Sequence, residues 1–380
     1  MIAQLRGGAQ YSRFPLVQRP RPAATPLATR VRELWELAAR EDEDNAIIRD
    51  AEVCNKAALI ASDCGLSDLA RDLCWRQHEV FARSGPLHGR PTTLALQPLL
   101  NLSRQLIRDG ASDGAYTMLT GLYRGLRDRN DVVTGGRRVS LGHFVGTPDD
   151  LQAALTVVWA ALLADGTRAL ILSGRLRDAA RHAEACHGVG DRLLDGRQAV
   201  ILAHIDNGDV GQATTLVERS NVAEPWERVV QDVLRACCHL HAQADAEEAT
   251  AGMLGSVLAL VRRPHAMTTV FRVRLGLTAL DLTDQYSAMH VSNLCAELIS
   301  AARNDGYAAR EVLASPRLRL AMTAEEFKEL SDILQISGLG TGAVPESLRR
   351  DLIAAASLAE GRLQALLRQN GGDYLQGTGR

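Results

Sequence analysis

The chain has 380 residues, 46% of them hydrophobic and only 4% aromatic, and its formal net charge is -2. This length suits one elongated repeat domain or two compact domains, packed mainly by small aliphatic side chains. The near-neutral charge argues against a general nucleic-acid binder, because such binding rests on excess positive charge.

The cysteines and the N-terminal sequence indicate the compartment. The seven cysteines, an odd number, lie within helical patterns and suit small buried thiols in a reducing environment. Arginines interrupt the N-terminal apolar residues, and no apolar run reaches the length of about 18 residues that spans a membrane. We therefore predict a cytoplasmic protein without structural disulfides, a signal peptide or membrane contact.

The first 29 residues contain four prolines and little hydrophobic periodicity, a composition that predicts a flexible arm. Beyond this arm the helical periodicity continues almost without interruption. The rest of the chain divides into three predicted parts: a helical-repeat solenoid over 30–305, a C-terminal helical cap over 306–369 and a tail over 370–380.

A helical hairpin is predicted between Asp50 and Ser84. Apolar residues recur three or four positions apart in both of its halves, which is the spacing of one helix face. Between the halves, Gly65 suits the left-handed residue that ends a helix. Small residues such as Ala57 and Ala70 stand where two antiparallel helices would come closest. This hairpin needs neighbouring hairpins to cover its outer faces.

Residues 129–147 interrupt the helical pattern. β-Branched residues flank Gly135-Gly136, a pair that suits a two-residue hairpin turn. We predict one short β-ribbon near 132–141, inserted in an otherwise all-α fold of stacked antiparallel helical hairpins.

Four predicted turns share one spacing, in which an alanine follows a glycine by five residues: Gly65/Ala70, Gly110/Ala115, Gly174/Ala179 and Gly208/Ala213. The third and fourth glycines are 34 residues apart, which is the tetratricopeptide period. Between about Asp50 and Thr283 the chain therefore resembles tetratricopeptide-like repeat proteins, and the fold implied is an α-solenoid. Its alanine-rich helices and its use of arginine in place of lysine resemble actinobacterial regulators that carry such repeats.

This resemblance implies a groove, lined by the first helix of each hairpin, that holds a peptide. Asparagine and glutamine amides can bind the main chain of such a peptide, and lysine or arginine can bind its carboxylates. The alternative is a solvated polar face without a ligand. Carried over by register, the groove would be lined by Asn55, Lys56, Gln97, Asn101, Arg104, Arg168 and Gln198, with Glu52, Asp165 and Asp195 beside them.

Two other stretches suggest chemistry. Cys237 and His241 are four residues apart, so one helix face could offer two metal ligands. No Cys-x-x-Cys or His-x-x-x-His occurs in the sequence to supply the remaining ligands, and we predict packed thiols and histidines with no metal site. The glycine-rich stretch 337–342 follows a predicted helix where a phosphate loop follows a strand, so we predict a flexible joint.

No catalytic or cofactor-binding motif is evident. We predict a non-catalytic scaffold without a cofactor, which binds a peptide or a partner protein in a regulatory or accessory role. A homodimer remains open. One alternative is an enzyme or enzyme subunit built on an α-solenoid, with Cys237 and His241 or the ribbon at its site. The other is a regulator that contacts DNA through its basic N-terminal arm.

Overall fold

The computed structural model describes residues 11–40, 45–142, 144–243, 246–263, 265–283 and 288–377. Helices account for 73% of the chain, which confirms the all-α prediction. The chain divides into two compact units. Unit 1 consists of the described residues of Met1–Pro26 and Thr167–Leu339, and unit 2 of those of Leu27–Gly166 and Gly340–Arg380. This division differs from the predicted one, in which 30–305 formed a single solenoid.

The first helices belong to unit 2. They are α1 (Leu27–Ala38), α2 (Ala46–Asp63), α3 (Ser67–Ala82), α4 (Arg90–Leu94), α5 (Gln97–Arg108), α6 (Ser112–Arg127) and α7 (Pro148–Ala161), followed by a π turn (Leu162–Gly166). The predicted hairpin corresponds to α2 and α3, and its small residues Ala57, Ala61 and Ala70 are completely buried.

The helices of unit 1 follow in the chain. They are α8 (Thr167–Leu172), α9 (Leu176–Ala185), α10 (Asp195–Asp206), α11 (Val210–Glu218), α12 (Pro225–Ala242), α13 (Ala246–Val261), α14 (Thr269–Asp281), α15 (Ala288–Ala302), α16 (Gly306–Ala314), α17 (Pro316–Ala321) and α18 (Ala324–Ser337). The last helix, α19 (Glu346–Gly377), belongs to unit 2, where it packs against α1, α2 and α3.

The predicted β-ribbon is present. Strands β1 (Val132–Thr134) and β2 (Arg137–Val139) pair antiparallel, and both residues of the Gly135-Gly136 turn have positive φ, as the two-residue turn requires. The Arg137 guanidinium lies 5.0 Å from the ring centroid of Trp75 and donates to Glu79 Oε1 at 2.9 Å. The ribbon therefore lies against α3 instead of projecting freely from the helices.

The four glycine turns noted in the sequence have one geometry. Each glycine adopts a left-handed conformation, with φ between 73° and 84°. In each turn the residue after glycine donates its N–H to the carbonyl five residues earlier at 2.8–2.9 Å, as Leu66 does to Ala61. This is the bond that closes a helix C-terminus around a glycine. The alanine five residues after each glycine is completely buried, so the shared spacing reflects a shared turn.

Residues 11–26 are packed in unit 1, which corrects the flexible arm expected over residues 1–29. Tyr11, Phe14, Leu16 and Ala24 are buried, and Ala24 N donates to Asp305 Oδ1 at 3.0 Å. The composition predicted an arm because the segment has few apolar residues, yet three of them, Tyr11, Phe14 and Leu16, are large and buried. The first ten residues of that arm lie outside the described part of the chain.

One helical stretch, Pro148–Leu172, is long and apolar enough to cross a membrane, with a mean hydropathy of 1.6 over its most apolar window. In the protein, 44% of that window is buried. Core helices of soluble proteins meet the same criteria of length and composition. A single stretch of this kind, in the part of the chain described, is weak evidence for a membrane span.

We expect the thiols to be nearly unreactive in the native protein. All seven cysteines are free, and all but Cys186 are buried. Burial raises the pKa of Cys54 and of Cys74 to about 12 and that of Cys64 to about 11. Because the thiolate is the reactive form, a thiol reagent at pH 8 should react quickly with at most one thiol per chain.

The fast-reacting thiol should be lost in Cys186→Ser, and all seven cysteines should react quickly in denaturant. Three or more fast-reacting thiols in the folded protein would contradict the packing of α2, α3 and α12.

Candidate functional site

An open cleft lies between α2 and α5 in unit 2, with a cavity volume of about 260 Å³. Both helices are the first members of their hairpins, α2 with α3 and α5 with α6. We call this the α2–α5 cleft. Its walls consist of Asn55, Lys56, Ala58, Leu59, Ser62, Gln97, Asn101, Arg104, Gln105 and Arg108.

Two asparagines join the helices across the cleft. Asn101 Nδ2 donates to Asn55 Oδ1 at 3.1 Å, and Arg104 Nη1 donates to Asn101 Oδ1 at 3.4 Å. Both asparagines are partly exposed. Each amide has further donor or acceptor capacity beyond the bond that joins them, which a bound main chain could use.

The charged groups of the lining are all cationic. Lys56, Arg104 and Arg108 line the cleft, whereas the described lining contains no carboxylate. All three cations pair with acids outside the lining: Arg104 Nε donates to Asp165 Oδ2 at 2.9 Å, Lys56 Nζ lies 2.6 Å from Glu52 Oε1, and Arg108 Nη1 lies 3.9 Å from Asp63 Oδ1. These pairs hold the cationic side chains at the cleft and offset much of their charge, so they act there mainly as hydrogen-bond donors.

A buried amide in the wall is only partly satisfied. Gln105 is buried, its Nε2 contacts Cys74 Sγ at 3.5 Å, and its Oε1 has no hydrogen-bond partner. A buried acceptor without a partner costs about 1–3 kcal/mol.

The structure places the seven predicted site residues in two groups. Five of them, Asn55, Lys56, Gln97, Asn101 and Arg104, line the α2–α5 cleft. The other two, Arg168 and Gln198, lie in unit 1.

The expectation that Gln198 faces an open groove is wrong. Its side chain is completely buried, accepts from Leu16 N at 2.7 Å and donates to Leu16 O at 2.9 Å. The sequence did not reveal that residues 11–26 cover this side chain. Arg168, on α8, is partly buried.

Sequence reasoning missed three polar residues of the cleft, Ser62, Gln105 and Arg108. Gln105 follows Asn101 by four positions, and Arg108 follows Arg104 by four. Because side chains four residues apart share a helix face, extending the predicted polar stripe by one turn of α5 would have found both.

Cys237 and His241, which one alternative interpretation made metal ligands, have other surroundings in the structure. Cys237 is buried, and the two His241 nitrogens lie 2.9 Å from Cys237 O and 3.4 Å from the Tyr11 hydroxyl. Among the described residues, no group of three or more His, Cys, Asp or Glu side chains is placed to hold a metal ion.

Two backbone amides of the glycine-rich stretch 337–342 are used in hydrogen bonds within the protein. In unit 2, Gly340 N donates to Asp63 O at 2.7 Å and Gly342 N donates to Cys64 O at 2.8 Å. These two amides close the turn between α2 and α3 and are not available to cradle a phosphate. Gly340 and Gly342 are thus tied to the end of α2 by hydrogen bonds, although residues 340–342 are exposed.

Comparison with family models, with curated proteins and with solved structures finds no match for this chain. The functional argument therefore rests on the geometry of the α2–α5 cleft.

Proposed function

We propose that the chain is a non-catalytic helical-repeat scaffold that binds an extended peptide segment of a partner protein in the α2–α5 cleft. Its hairpins would be degenerate tetratricopeptide-like repeats stacked as a solenoid. The recurrence of one glycine turn, with a completely buried alanine five residues on, supports this repeat assignment. The protein would act in the cytoplasm in a regulatory or accessory role.

The observation that carries the proposal is the composition of the cleft, which joins main-chain-binding amides with cations. Asn55, Gln97 and Asn101 supply the amides, and Lys56 and Arg104 the positive charges. Such a lining suits an extended peptide whose main chain the amides bind, with the paired cations as additional hydrogen-bond donors.

The double substitution Asn55→Ala/Asn101→Ala tests the cleft with little effect on folding. Removing both partners of a hydrogen bond is nearly neutral for stability, so the midpoint of unfolding should hardly change. Affinity for a peptide selected from a random phage-displayed library on the intact protein should fall by about 1–3 kcal/mol for a lost desolvated hydrogen bond, or roughly 5- to 150-fold, in isothermal titration.

The matched control is Arg83→Ala, which removes an exposed ion pair with Glu79 outside the cleft and should leave the affinity unchanged. If the double variant binds the selected peptide as tightly as the wild type, the cleft is not the binding site.

The DNA-binding alternative has lost part of its support. In the described part of the N-terminal segment, Arg13 pairs with Asp281, Arg19 lies 2.6 Å from Asp195, and Arg21 stacks on Tyr307. These arginines neutralise carboxylates of the protein itself or stack on its rings, which weakens the case for phosphate contacts.

A further inference from the structure

Residues 11–26 lie across unit 1 in the manner of a bound peptide. The segment contacts helices α10, α12 and α14 and the start of α16. Two of the contacts are main-chain bonds, from Arg21 N to Met267 O and from Gly306 N to Ala24 O. Six side chains make further contacts, and we call them the unit 1 face: Asp195, Gln198, His241, Asp281, Asp305 and Tyr307. The segment itself forms no α-helix or β-strand, so it does not pair with unit 1 as part of a sheet or a helical hairpin. Its position is therefore set by individual contacts with the face.

One contact recognises the main chain independently of its sequence. The Gln198 amide binds both the N–H and the carbonyl of Leu16, at 2.7 and 2.9 Å, and a second bond from its Nε2 to Leu193 O at 2.7 Å fixes its orientation. A side-chain amide used in this two-bond manner binds any residue in extended conformation except proline, which lacks the N–H.

Three further contacts involve arginine side chains. Arg19 Nη2 lies 2.6 Å from Asp195 Oδ2, Arg13 pairs with Asp281, and the Arg21 guanidinium lies 3.4 Å from the centroid of the Tyr307 ring. Asp195 is buried and its Oδ1 has no hydrogen-bond partner. Asp195 Oδ1 could therefore accept a hydrogen bond from an arginine that approaches the face in another orientation.

The segment has little structure of its own to lose. Its own backbone makes few internal bonds, from Phe14 N to Tyr11 O and from Thr25 N to Ala23 O. Beyond the turn at 11–14, three prolines, Pro20, Pro22 and Pro26, restrict the backbone and lower the entropy lost on docking. Undocking it would break contacts with the face without unfolding any helix of its own.

We propose that the unit 1 face is a second peptide-binding surface, distinct from the α2–α5 cleft, which residues 11–26 occupy as an intramolecular competitor. Its partner is an extended, arginine-bearing peptide of another protein, which displaces the segment. The segment holds the surface closed because a tethered ligand acts at an effective concentration on the order of millimolar. A partner displaces the segment only when the ratio of the partner's concentration to its Kd exceeds the ratio of this effective concentration to the Kd of the segment.

A full-length variant with the segment undocked tests this proposal. Phe14 and Leu16 are almost completely buried, so Phe14→Asp/Leu16→Asp should release the segment, because two carboxylates cannot be buried there unpaired. A synthetic peptide of residues 11–26 should then bind the variant at least about 100-fold more tightly than it binds the wild type, as the tethered competitor has been removed. Fluorescence anisotropy of the labelled peptide measures both affinities.

Two controls assign the binding to the face. Adding Gln198→Ala to the undocked variant should abolish binding, and a peptide with Arg13, Arg19 and Arg21 changed to glutamate should not bind. A folded undocked variant that fails to bind the peptide, or equal binding by the wild type, overturns the proposal. A wild-type dimer that Gln198→Ala dissociates would show that the occupant is the segment of a second copy, and would overturn the assignment to a separate protein.

Hydrogen exchange of the wild type decides the matter if the undocked variant does not fold. The Leu16 and Ala24 amides, which donate to Gln198 and Asp305, should exchange through local opening at least tenfold faster than the core amides of α10. If they exchange only with global unfolding, the segment is a permanent part of unit 1 and no partner displaces it.

Discussion

Replacing Arg362 with alanine is expected to destabilise unit 2 by about 3 kcal/mol, the cost of leaving a buried charge without its partner. Asp50, on α2, is completely buried, and Arg362 Nη2 donates to its Oδ1 at 2.6 Å. The other oxygen of Asp50 has no hydrogen-bond partner. Arg49 Nε lies 3.6 Å from Oδ1 and compensates only part of the loss.

Urea denaturation followed by tryptophan fluorescence measures this effect. Trp35, Trp75 and Trp159 lie in unit 2, and Trp226, in unit 1, can be replaced by phenylalanine so that the signal reports unit 2 alone. In that background, adding Asp50→Asn to Arg362→Ala should recover part of the lost stability, because the buried charge is gone.

The control for Arg362 is on the same helix. Arg349→Ala removes an exposed ion pair with Glu346, 3.9 Å long, and should change stability by less than about 0.5 kcal/mol. If Arg362→Ala shifts the transition no more than Arg349→Ala does, then α19 does not hold α2 as the structure indicates.

The second large effect is expected at Gly196, where Gly196→Ala should destabilise unit 1 by about 1–3 kcal/mol through overpacking. Gly196 lies in the first turn of α10 against the loop that follows α9. A Cβ atom there would lie 2.3 Å from Gly188 O, closer than any real Cβ contact. Since the obstacle is main chain and not the end of a flexible side chain, α10 must move.

Gly211→Ala, in α11, is the matched control. Nothing lies within 4 Å of a Cβ atom at that position, and alanine is favoured over glycine in a helix by about 0.5–1 kcal/mol. Urea denaturation followed by circular dichroism should therefore show a lower midpoint for Gly196→Ala and a slightly higher one for Gly211→Ala. Midpoints in the opposite order would contradict the packing of α10 against the Gly188 loop.

Local structure could be predicted from the sequence because its causes are local. The apolar spacing within 50–84 predicted α2 and α3, and the Gly135-Gly136 pair predicted the turn between β1 and β2. Gly65 adopts the left-handed conformation that its position indicated. In each case the residues that determine the conformation are within a few positions of it.

Long-range pairing could not be predicted, because an amphipathic helix shows which face it buries but not which helix covers it. The predicted C-terminal helix is present as α19, yet nothing in its sequence shows that Arg362 meets Asp50, some 300 residues earlier. The same limit applies to residues 11–26. Their apolar side chains are few, and only the structure shows that Gln198 binds their main chain.

The candidate site was partly predictable for the same reason. Asn55 and Asn101 were placed on one side of their hairpins by helical register, and they meet at 3.1 Å. Register could not show that Gln198 is covered by residues 11–26.

Photo-crosslinking tests the central claim, peptide binding in the α2–α5 cleft, most directly. Leu59 and Leu358 are matched positions, since both are in unit 2 and 40% and 41% exposed, but only Leu59 lines the cleft. A photo-reactive amino acid at each position is irradiated with the library-selected peptide. We predict that the peptide crosslinks at position 59 and not at 358; crosslinking at 358 alone, or equally at both, would contradict the account.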